Sequence, residues 1–286
     1  MNLYDKTSYQ CSKRITKNYS TSFSLGIRVL SKRFHNPIYA IYGFVRYADE
    51  IVDTFHNHDK EKLLNEFKTA TYKAIEQRIS LNPVLNSFQL VVNEYNIDHR
   101  LVEAFFRSME MDLQRISYDE QQYIEYIYGS AEVVGLMCLY VFCNGDHRKF
   151  KELEFPARRL GSAFQKVNFL RDIRSDFKER GRVYFPGIDL NNFDAKSKIE
   201  IEQDIKRDFD EAIKGIKMLP KGASIGVYLA YIYYLKLFSK IKSCPVSKIL
   251  HQRIRVPDFV KIMLLVKTYM RYKLSFGHSM ETIEMN

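Results

Sequence analysis

The stretch that decides the fold and the chemistry is LGSAFQKVNFLRDIRSDFKERGRVYFP, from Leu160 to Pro186. At about 100° per residue, its polar and small residues fall on one helical stripe roughly 80° wide. These residues are Gly161, Gln165, Asn168, Asp172 and Asp176. No Lys or Arg lies within the stripe, whereas a solvated helix face mixes cations with its acids. The pattern predicts a helix over about 156–179 with an inward acidic stripe, in which glycine leaves room for something to approach the backbone.

A second pair of carboxylates lies earlier, in a segment that the apolar spacing predicts as a helix over about 37–56. Asp49 falls within the apolar stripe of this helix, and Asp53 and Arg46 lie one turn away at its edge. A carboxylate on a buried face costs free energy unless it is paired or bound to a metal. The spacing alone favours a solvated Asp49–Arg46 ion pair, but the apolar flanks strengthen the case for a cation site at Asp49 and Asp53.

The chain contains two further aspartates with the same spacing, which serve as a control. Asp204 and Asp208 are four residues apart, but charged residues surround them in the sequence, as is typical of a solvated helix face. Spacing alone is thus a weak indication, and the apolar flanks distinguish Asp49. We expect replacement of Asp204 by alanine to change little, and replacement of Asp172 by alanine to abolish activity while the fold is retained.

Both sets of candidate ligands are oxygen donors, without Cys or His. Such donors favour Mg²⁺ or Mn²⁺ over zinc, and Mg²⁺ usually completes its octahedron with water and substrate phosphate. Neither GxxxxGK(S/T) nor GxGxxG occurs in the chain. Two acidic helices that face each other would instead form a cavity that holds diphosphates through metal bridges. The alternative for the second helix is a buried polar seam without a ligand.

Helical periodicity covers most of the chain, and alternating strand patterns are nearly absent. Asn36-Pro37 and Asn82-Pro83 resemble helix starts, Ser117 with Glu120 resembles a capping box, and no proline interrupts a long periodic segment. The predicted helices are 37–56, 59–79, 83–95, 98–115, 119–143, 156–179, 198–218, 223–243 and 257–275. The sequence therefore predicts one all-α domain over 1–286, with its longest loop at 180–197.

The formal net charge is +10, from 44 Lys+Arg against 34 Asp+Glu. All of this excess lies in residues 212–286, which carry 13 basic and three acidic side chains. A basic region of this kind indicates a polyanion nearby: nucleic acid, anionic lipid or a phosphorylated substrate. Charge alone does not choose among them.

No apolar signal segment follows the N-terminus, and the longest apolar run, Val133–Cys143, is shorter than the ~18 residues that a membrane span needs. The four cysteines form no CxxC pair and suit neither zinc nor a disulfide scaffold. We therefore expect a cytoplasmic protein with reduced thiols, for which peripheral attachment to the inner membrane surface stays open.

Four motifs follow one another along the chain: YSTSFSLG (Tyr19–Gly26), RYADEIVD (Arg46–Asp53), YIYGSAEVVGLM (Tyr126–Met137) and the stretch Leu160–Pro186. In this order they resemble the squalene/phytoene synthase family of head-to-head trans-isoprenyl diphosphate synthases, and most of all its bacterial phytoene synthases. The resemblance implies an isoprenoid synthase fold, with helices around a central catalytic cavity, and a Mg²⁺-dependent prenyltransferase.

The same resemblance implies roles for individual residues. Asp49 and Asp53 would bind Mg²⁺ for one diphosphate, and Asn168, Asp172 and Asp176 would serve the other, with two or three ions in total and Mn²⁺ as an alternative. The implied catalytic residues are Tyr42, Arg46, Asp49, Tyr128 and Asp172. Substrate contacts are implied for Tyr19, Ser20, Thr21, Ser22, Phe23, Tyr42, Arg46, Gln165, Arg171, Tyr184, Tyr234 and Arg253.

Three positions depart from the family pattern. Tyr19 stands where some relatives have His, and Ser175 replaces an acid that is common between the aspartates of the second motif. Glu132 replaces a glycine that is usual in the central helix, which puts the pocket shape in question. The implied set of metal ligands is complete.

The reaction implied is the condensation of two geranylgeranyl diphosphates to phytoene, through a cyclopropyl (prephytoene) diphosphate, in carotenoid biosynthesis. No nicotinamide cofactor is expected for that product. The alternative within the family is squalene or dehydrosqualene synthesis from two farnesyl diphosphates, because the sequence does not fix the chain length.

An alternative of another class, a basic helical nucleic-acid-binding module, offers no account of the acidic stripes. We expect no nucleic-acid partner, and the basic region 212–286 suggests docking on an anionic membrane surface.

Overall fold

A computed structural model describes residues 1–114, 117–188 and 193–275 of the chain. Helices make up most of these residues, and the β geometry among them is an isolated bridge between Ser117 and Val183. The helices are α1 Leu3–Tyr19, α2 Thr21–Val29, α3 Lys32–Thr54, α4 Lys60–Gln77, α5 Pro83–Tyr95, α6 His99–Gln114, α7 Glu120–Ile127, α8 Val133–Cys143, α9 His147–Arg180, α10 Ala195–Met218, α11 Lys221–Lys242, α12 Val246–His251 and α13 Asp258–Ser275, with a π-helical turn at Tyr128–Glu132. The predicted all-α class is confirmed.

Each of the nine predicted helices is present, but α1, α2 and α12 were not predicted. Four helices begin earlier than expected, α3 and α9 by the widest margins. Pro37 and Pro156 therefore lie inside α3 and α9, so the predicted helix starts at these two prolines were wrong, although neither proline breaks its helix. Packing compensates at Pro156, because its ring fills the space beside Gly215. A Cβ atom at Gly215 would lie 2.5 Å from the Pro156 ring.

The three predicted capping signals had different outcomes. Asn36 lies inside α3, whose N-cap residue is Ser31, so it does not start the helix. Asn82 caps α5 as expected, and its side chain accepts hydrogen bonds from the backbone N–H groups of Val84 and Leu85. The capping box of α7 is formed by Asp119 and Gln122, two residues beyond the predicted Ser117 and Glu120. Ser117 instead lies in the extended segment that pairs with Val183.

Two apolar clusters flank the interior. The first joins α1–α6 and α8 around stacked rings such as Phe44 and Phe88, whose centroids are 3.8 Å apart. The second joins α9–α12 and the loop after α9, with Phe169 stacked on Tyr184 at 4.2 Å. Val227 of α11 packs against both clusters. The space that the two clusters enclose between them is the cavity described below.

The helix through the centre is continuous from Glu120 to Cys143 and contains the π-helical turn. By length and composition it could cross a membrane, but 61% of its most apolar window is buried inside the protein, as in a core helix. Gly161 of α9 explains how the turn packs so closely, because a Cβ atom there would lie 2.8 Å from the Ala131 carbonyl oxygen. What approaches this glycine is thus the backbone of the π-helical turn.

A buried ion network lies between the π-helical turn, α9 and α10. Asp208 is 3% exposed and accepts hydrogen bonds from Lys166 at 2.7 Å and Arg159 at 3.1 Å. Arg159 also donates to Glu132, which is buried as well. The prediction that Asp204 and Asp208 form a solvated pair was therefore wrong for Asp208. Asp204 is partly exposed, but it pairs with Lys166, which also pairs with Asp208. Replacement of Asp204 by alanine would therefore disturb the buried network and does not serve as a control for activity.

We predict that Lys166→Met lowers the free energy of unfolding by about 2 kcal/mol, because the buried Asp208 carboxylate loses its strongest cation partner. The control is Lys206→Met, which removes an exposed ion pair with Asp210 on the same helix as Asp208 and should cost less than about 0.5 kcal/mol. Urea unfolding of both variants measures the difference. Equal losses would show that burial of the network contributes nothing.

Candidate active site

A cavity of about 570 Å³ lies between α2, α3, α8, α9, α10 and α11. Its size is that of pockets which enclose small organic ligands. Polar side chains line the end that the C-terminal halves of α3 and α9 reach, and apolar side chains line the rest. The apolar part includes Ile27, Leu30, Ile38, Val134, Leu139, Phe142, Leu153, Leu160, Ile216 and Leu219. We call the polar end the mouth.

Small residues line much of the apolar part. They come from five α-helices and the π-helical turn, so no single wall supplies them. They are Gly26, Ala131, Gly135, Ala157, Gly161, Ala212, Gly215, Gly226 and Ala230. Several of the glycines serve close contacts between helices, since a Cβ atom at Gly161, Gly215 or Gly226 would lie within 2.8 Å of a neighbouring atom. The alanines project little into the cavity and leave space that apolar chains can occupy.

Asp49 lies one turn beyond Arg46, which lines the mouth. A third of the Asp49 side chain is exposed, yet burial raises the pKa of its carboxyl to about 7. The Arg46 guanidinium, 3.9 Å away, opposes this rise. The neighbouring carboxylates of Asp53 and Asp112 add to it. A divalent cation would relieve this repulsion.

Asp172 of the second motif is held by two arginines. Arg171 donates to its carboxylate at 2.5 and 3.0 Å, and Arg253 lies 2.7 Å from it. Burial alone would lower the pKa of Arg171, but Asp172 raises it above its ordinary value. The acidic stripe contains no cation of its own, but two arginines from outside the stripe contact it. Arg171 is the neighbour of Asp172 on α9, and Arg253 lies in the segment after α12.

The remaining predicted residues at the mouth lie together. Arg46 covers the ring of Tyr19 at 4.4 Å, and its Nε atom is buried without a hydrogen-bond partner in the described part of the chain. Tyr234 donates to Asn168 at 3.2 Å. Ser20 caps α2 by accepting from the Phe23 N–H. Tyr19, Ser20, Ser22, Phe23, Tyr42, Arg46, Gln165, Asn168, Arg171, Tyr234 and Arg253 all line the cavity.

Seven predicted residues are not among the cavity-lining side chains: the four aspartates Asp49, Asp53, Asp172 and Asp176, which lie next to lining residues of α3 and α9, and three residues predicted to contact substrate or take part in catalysis. Thr21 is exposed at the start of α2. Tyr128 begins the π-helical turn, where the Arg158 guanidinium lies 5.0 Å from its ring centroid. Tyr184 is buried in the second apolar cluster. Glu132, whose effect on the pocket was in question, lies behind the wall in its ion network and does not line the cavity.

Sequence reasoning missed two residues next to the first acidic motif, Arg182 and Asp112. Arg182 contacts Asp53 at 3.2 Å and Asp112 at 3.3 Å, while its backbone N–H donates to the carbonyl of Asp176. It therefore ties the end of α9 to α3 and α6. Asp112 continues the apolar face of α6, which is the signal that could have identified it as a buried acid. Nothing in the sequence pairs it with Arg182.

Burial raises the pKa of Asp112 to about 6, although Arg182 opposes the rise. Tyr126 donates to the same carboxylate at 2.8 Å and Tyr184 at 3.3 Å. Burial alone would lower the pKa of Arg182, but Asp112 raises it above the ordinary value. The result is a fixed cation beside Asp53, held from behind by a buried carboxylate and two tyrosines.

The donors fit a divalent cation that is shared with a substrate. Among the described residues, no three acidic, His or Cys side chains converge on one point. Mg²⁺ typically takes one or two carboxylates and completes its shell with water and phosphate oxygens. Asp49 and Asp53 on α3 and Asn168, Asp172 and Asp176 on α9 would supply two such partial sets, and the repulsion at Asp49 favours a cation there.

The sequence matches the squalene/phytoene synthase family over residues 16–259. A phytoene synthase from Arthrospira platensis is 26% identical, over 93% of this chain and 94% of its own. A 4,4'-diapophytoene synthase from Staphylococcus haemolyticus is 25% identical, over 69% of this chain and 68% of its own.

Solved structures share the fold. A dehydrosqualene synthase superposes with a TM-score of 0.80 at 20% identity, over 94% of this chain and 98% of its own. A squalene synthase from Alicyclobacillus acidocaldarius superposes with a TM-score of 0.74 at 19% identity, over 85% of this chain and 95% of its own. The predicted isoprenoid synthase fold is therefore confirmed.

We predict that Asp172→Ala lowers the release of diphosphate from prenyl diphosphates by at least about 100-fold, because an oxygen ligand at the mouth is lost. Circular dichroism should show the helical content of the wild type. The control is Asp210→Ala, because Asp210 is exposed on α10 and belongs to no buried network among the described residues. It should change the rate of diphosphate release by less than about two-fold. Near-normal turnover of Asp172→Ala would contradict the ligand assignment.

A second prediction concerns Arg182→Gln. The buried Asp112 carboxylate loses its cation, so the free energy of unfolding should fall by about 3 kcal/mol. The rise in melting temperature on adding Mg²⁺ with inorganic diphosphate should also require more Mg²⁺ than in the wild type, because Asp53 loses the contact with Arg182 that orients its carboxylate. Arg182→Lys should recover part of the Mg²⁺ response.

The matched control is Arg207→Gln, which removes an exposed arginine that pairs with Asp204. It should leave both the stability and the Mg²⁺ titration close to those of the wild type. If Arg182→Gln is destabilised but keeps an unchanged Mg²⁺ midpoint, Arg182 supports the fold without orienting Asp53.

Proposed function

The chain belongs to the squalene/phytoene synthase family, and on that premise we propose that it joins two geranylgeranyl diphosphates head to head to give phytoene. It is a prenyltransferase of isoprenoid biosynthesis, and enzymes of this family depend on a divalent metal. One observation carries the proposal: a long apolar cavity opens at a mouth where two acidic helices and three arginines meet.

Binding of the substrates follows from the polarity of the cavity. The diphosphates would lie at the mouth, where Arg46, Arg171 and Arg253 supply guanidinium donors suited to phosphate oxygens. The prenyl chains would lie in the apolar part, which excludes water from them. Mg²⁺, held by Asp49, Asp53, Asn168, Asp172 and Asp176, would offset the charge of the diphosphates and make diphosphate a better leaving group.

The first bond to break is the C–O bond between one prenyl chain and its diphosphate, which leaves with the electron pair. The resulting allylic cation is attacked by a double bond of the second chain, and loss of a proton closes the cyclopropyl diphosphate. Aromatic faces line this region, with Phe23 stacked on Tyr42 at 4.7 Å and Phe164 on Tyr234 at 3.9 Å. Such faces stabilise a cation in a dry cavity. Departure of the second diphosphate, rearrangement and loss of another proton would give phytoene.

The length of the prenyl chains is the finer part of the proposal. The length of the apolar part favours the longer, C20 substrate, because the lining residue Leu153 lies 15 residues, or about 22 Å along α9, from the lining residue Asn168 at the mouth. The second candidate is condensation of two C15 farnesyl diphosphates to dehydrosqualene or squalene. It has support because one relative is a 4,4'-diapophytoene synthase.

Product analysis tests the proposal directly. Purified protein is incubated with Mg²⁺ and either farnesyl or geranylgeranyl diphosphate, in detergent, with and without a nicotinamide cofactor, and the hydrocarbon is identified. We expect phytoene from the C20 substrate without the cofactor. A C30 product alone would favour the second candidate, and no diphosphate release from either substrate would contradict synthase activity.

The place of the reaction follows from its chemistry. We propose a cytoplasmic enzyme that contacts the anionic inner membrane surface, since its substrates are amphipathic and its product is a hydrocarbon insoluble in water. The excess of basic residues in 212–286 supports such a contact.

We predict that Ala157→Phe lowers the yield from geranylgeranyl diphosphate at least about ten-fold more than the yield from farnesyl diphosphate, because the ring narrows the apolar part of the cavity. Competition between the two substrates measures the ratio. Ala70→Phe, on an exposed position of α4, is the control and should leave the ratio unchanged. An unaltered ratio for Ala157→Phe would mean that chain length is set elsewhere.

A further inference from the structure

The outward face of α13 is apolar, the reverse of an ordinary surface helix. Six large apolar side chains on this helix are between 41% and 69% exposed. They recur at three- and four-residue intervals and so share one side of the helix. They are Phe259, Ile262, Met263, Val266, Tyr269 and Met270, and together we call them the α13 face. Contiguous exposed apolar surface of this kind marks an interaction site.

The inward side fixes this orientation. Val260 packs against the second apolar cluster, and Thr268 is buried. Lys261 points inward too, with its Nζ atom 5.6 Å from the ring centroid of Tyr233, which lines the cavity. Thr268 is therefore buried and Lys261 is partly buried, while Phe259 and Met263 face outward. Among the residues that the structure describes, none covers the α13 face.

Charge identifies the occupant. Residues 212–275 contain 13 Lys and Arg but a single acidic residue, Asp258. Lys267 is exposed on the flank of the α13 face, and Lys236 and Lys240 are exposed on α11, against which α13 packs. A second copy of the chain would bring like charges together, whereas anionic lipid attracts them. Each Lys or Arg near an anionic membrane contributes about 1 kcal/mol of attraction.

We propose that the α13 face docks on an anionic lipid surface, with its apolar side chains in the interfacial region and the surrounding lysines near the headgroups. The reason why such docking is useful rests on the proposed function. Through Lys261 and Tyr233, α13 packs on a residue that lines the cavity, so docking would bring the cavity wall close to the bilayer that supplies and receives lipids.

Co-flotation of the full chain with vesicles tests the proposal. One set of vesicles is pure phosphatidylcholine, and the other contains about one third phosphatidylglycerol. We expect binding to the anionic vesicles that falls in high salt, and much weaker binding to the neutral ones. Lys267→Glu should weaken anionic binding about five-fold or more. Phe259→Ser with Met263→Ser and Val266→Ser should weaken it at least about ten-fold.

The matched control is Leu81→Ser with Ile124→Ser, which removes exposed apolar side chains far from α13 in sequence and should leave binding unchanged. Helical content and melting temperature verify that each variant folds. Activity in detergent should be the same for the triple serine variant and the wild type. A failure of vesicle binding is thereby distinguishable from a failure of synthase activity.

Three results would overturn the proposal. The first is equal flotation with neutral and anionic vesicles, and the second is normal flotation of the triple serine variant. The third is a dimer, seen in sedimentation of the wild type and lost in the triple variant, which would make the α13 face a contact between two copies.

Discussion

Carboxylates gathered at the mouth of an apolar cavity are the constraint on which the rest of the structure depends. Each is costly to bury, and each is balanced by an arginine: Asp49 by Arg46, Asp53 and Asp112 by Arg182, and Asp172 by Arg171 and Arg253. A buried ion pair adds little net stability, but an unpaired charge would be strongly destabilising. The arginines thus offset the cost of keeping these acids beside a hydrophobic cavity. A guanidinium is also the side-chain group best suited to bind a diphosphate.

The cavity itself depends on close approach between backbones. Gly161 lets α9 press against the π-helical turn, and Gly215 receives the ring of Pro156, so α9 is held on both sides. A helix of 34 residues clamped in this way carries Leu153 at the far end of the cavity and Asp172 beyond the mouth. The spacing between the apolar and the charged parts of the site is therefore set by one rigid element.

The sequence predicted those features that arise within one helix. The stripe from Gln165 to Asp176 and the position of Asp49 depend only on helical periodicity, and the structure brings these residues to one end of the cavity. Features that depend on packing between distant segments were missed. Lys166 of α9 pairs with the buried Asp208 of α10, and Arg182 pairs with Asp112, which lies 70 residues earlier in the chain. Local charge patterns therefore gave no sign of either pair. The polar α1 was missed because its apolar stripe is sparse: its buried residues are mostly serine and threonine.

The net charge becomes informative once it is divided by place. Residues 1–211 carry 31 basic and 31 acidic side chains, and the internal pairs at the mouth and behind the cavity belong to this balanced part. The excess of +10 belongs to residues 212–286. Among the described cations of that region, Arg253 pairs with a carboxylate of the site, Asp172. The pairs at the site therefore neutralise little of the positive charge in 212–286. The excess positive charge therefore lies next to the exposed apolar α13 face, and neither is needed by the site or the core. An anionic bilayer explains both, because its headgroups attract the charge and its interior accepts the apolar side chains.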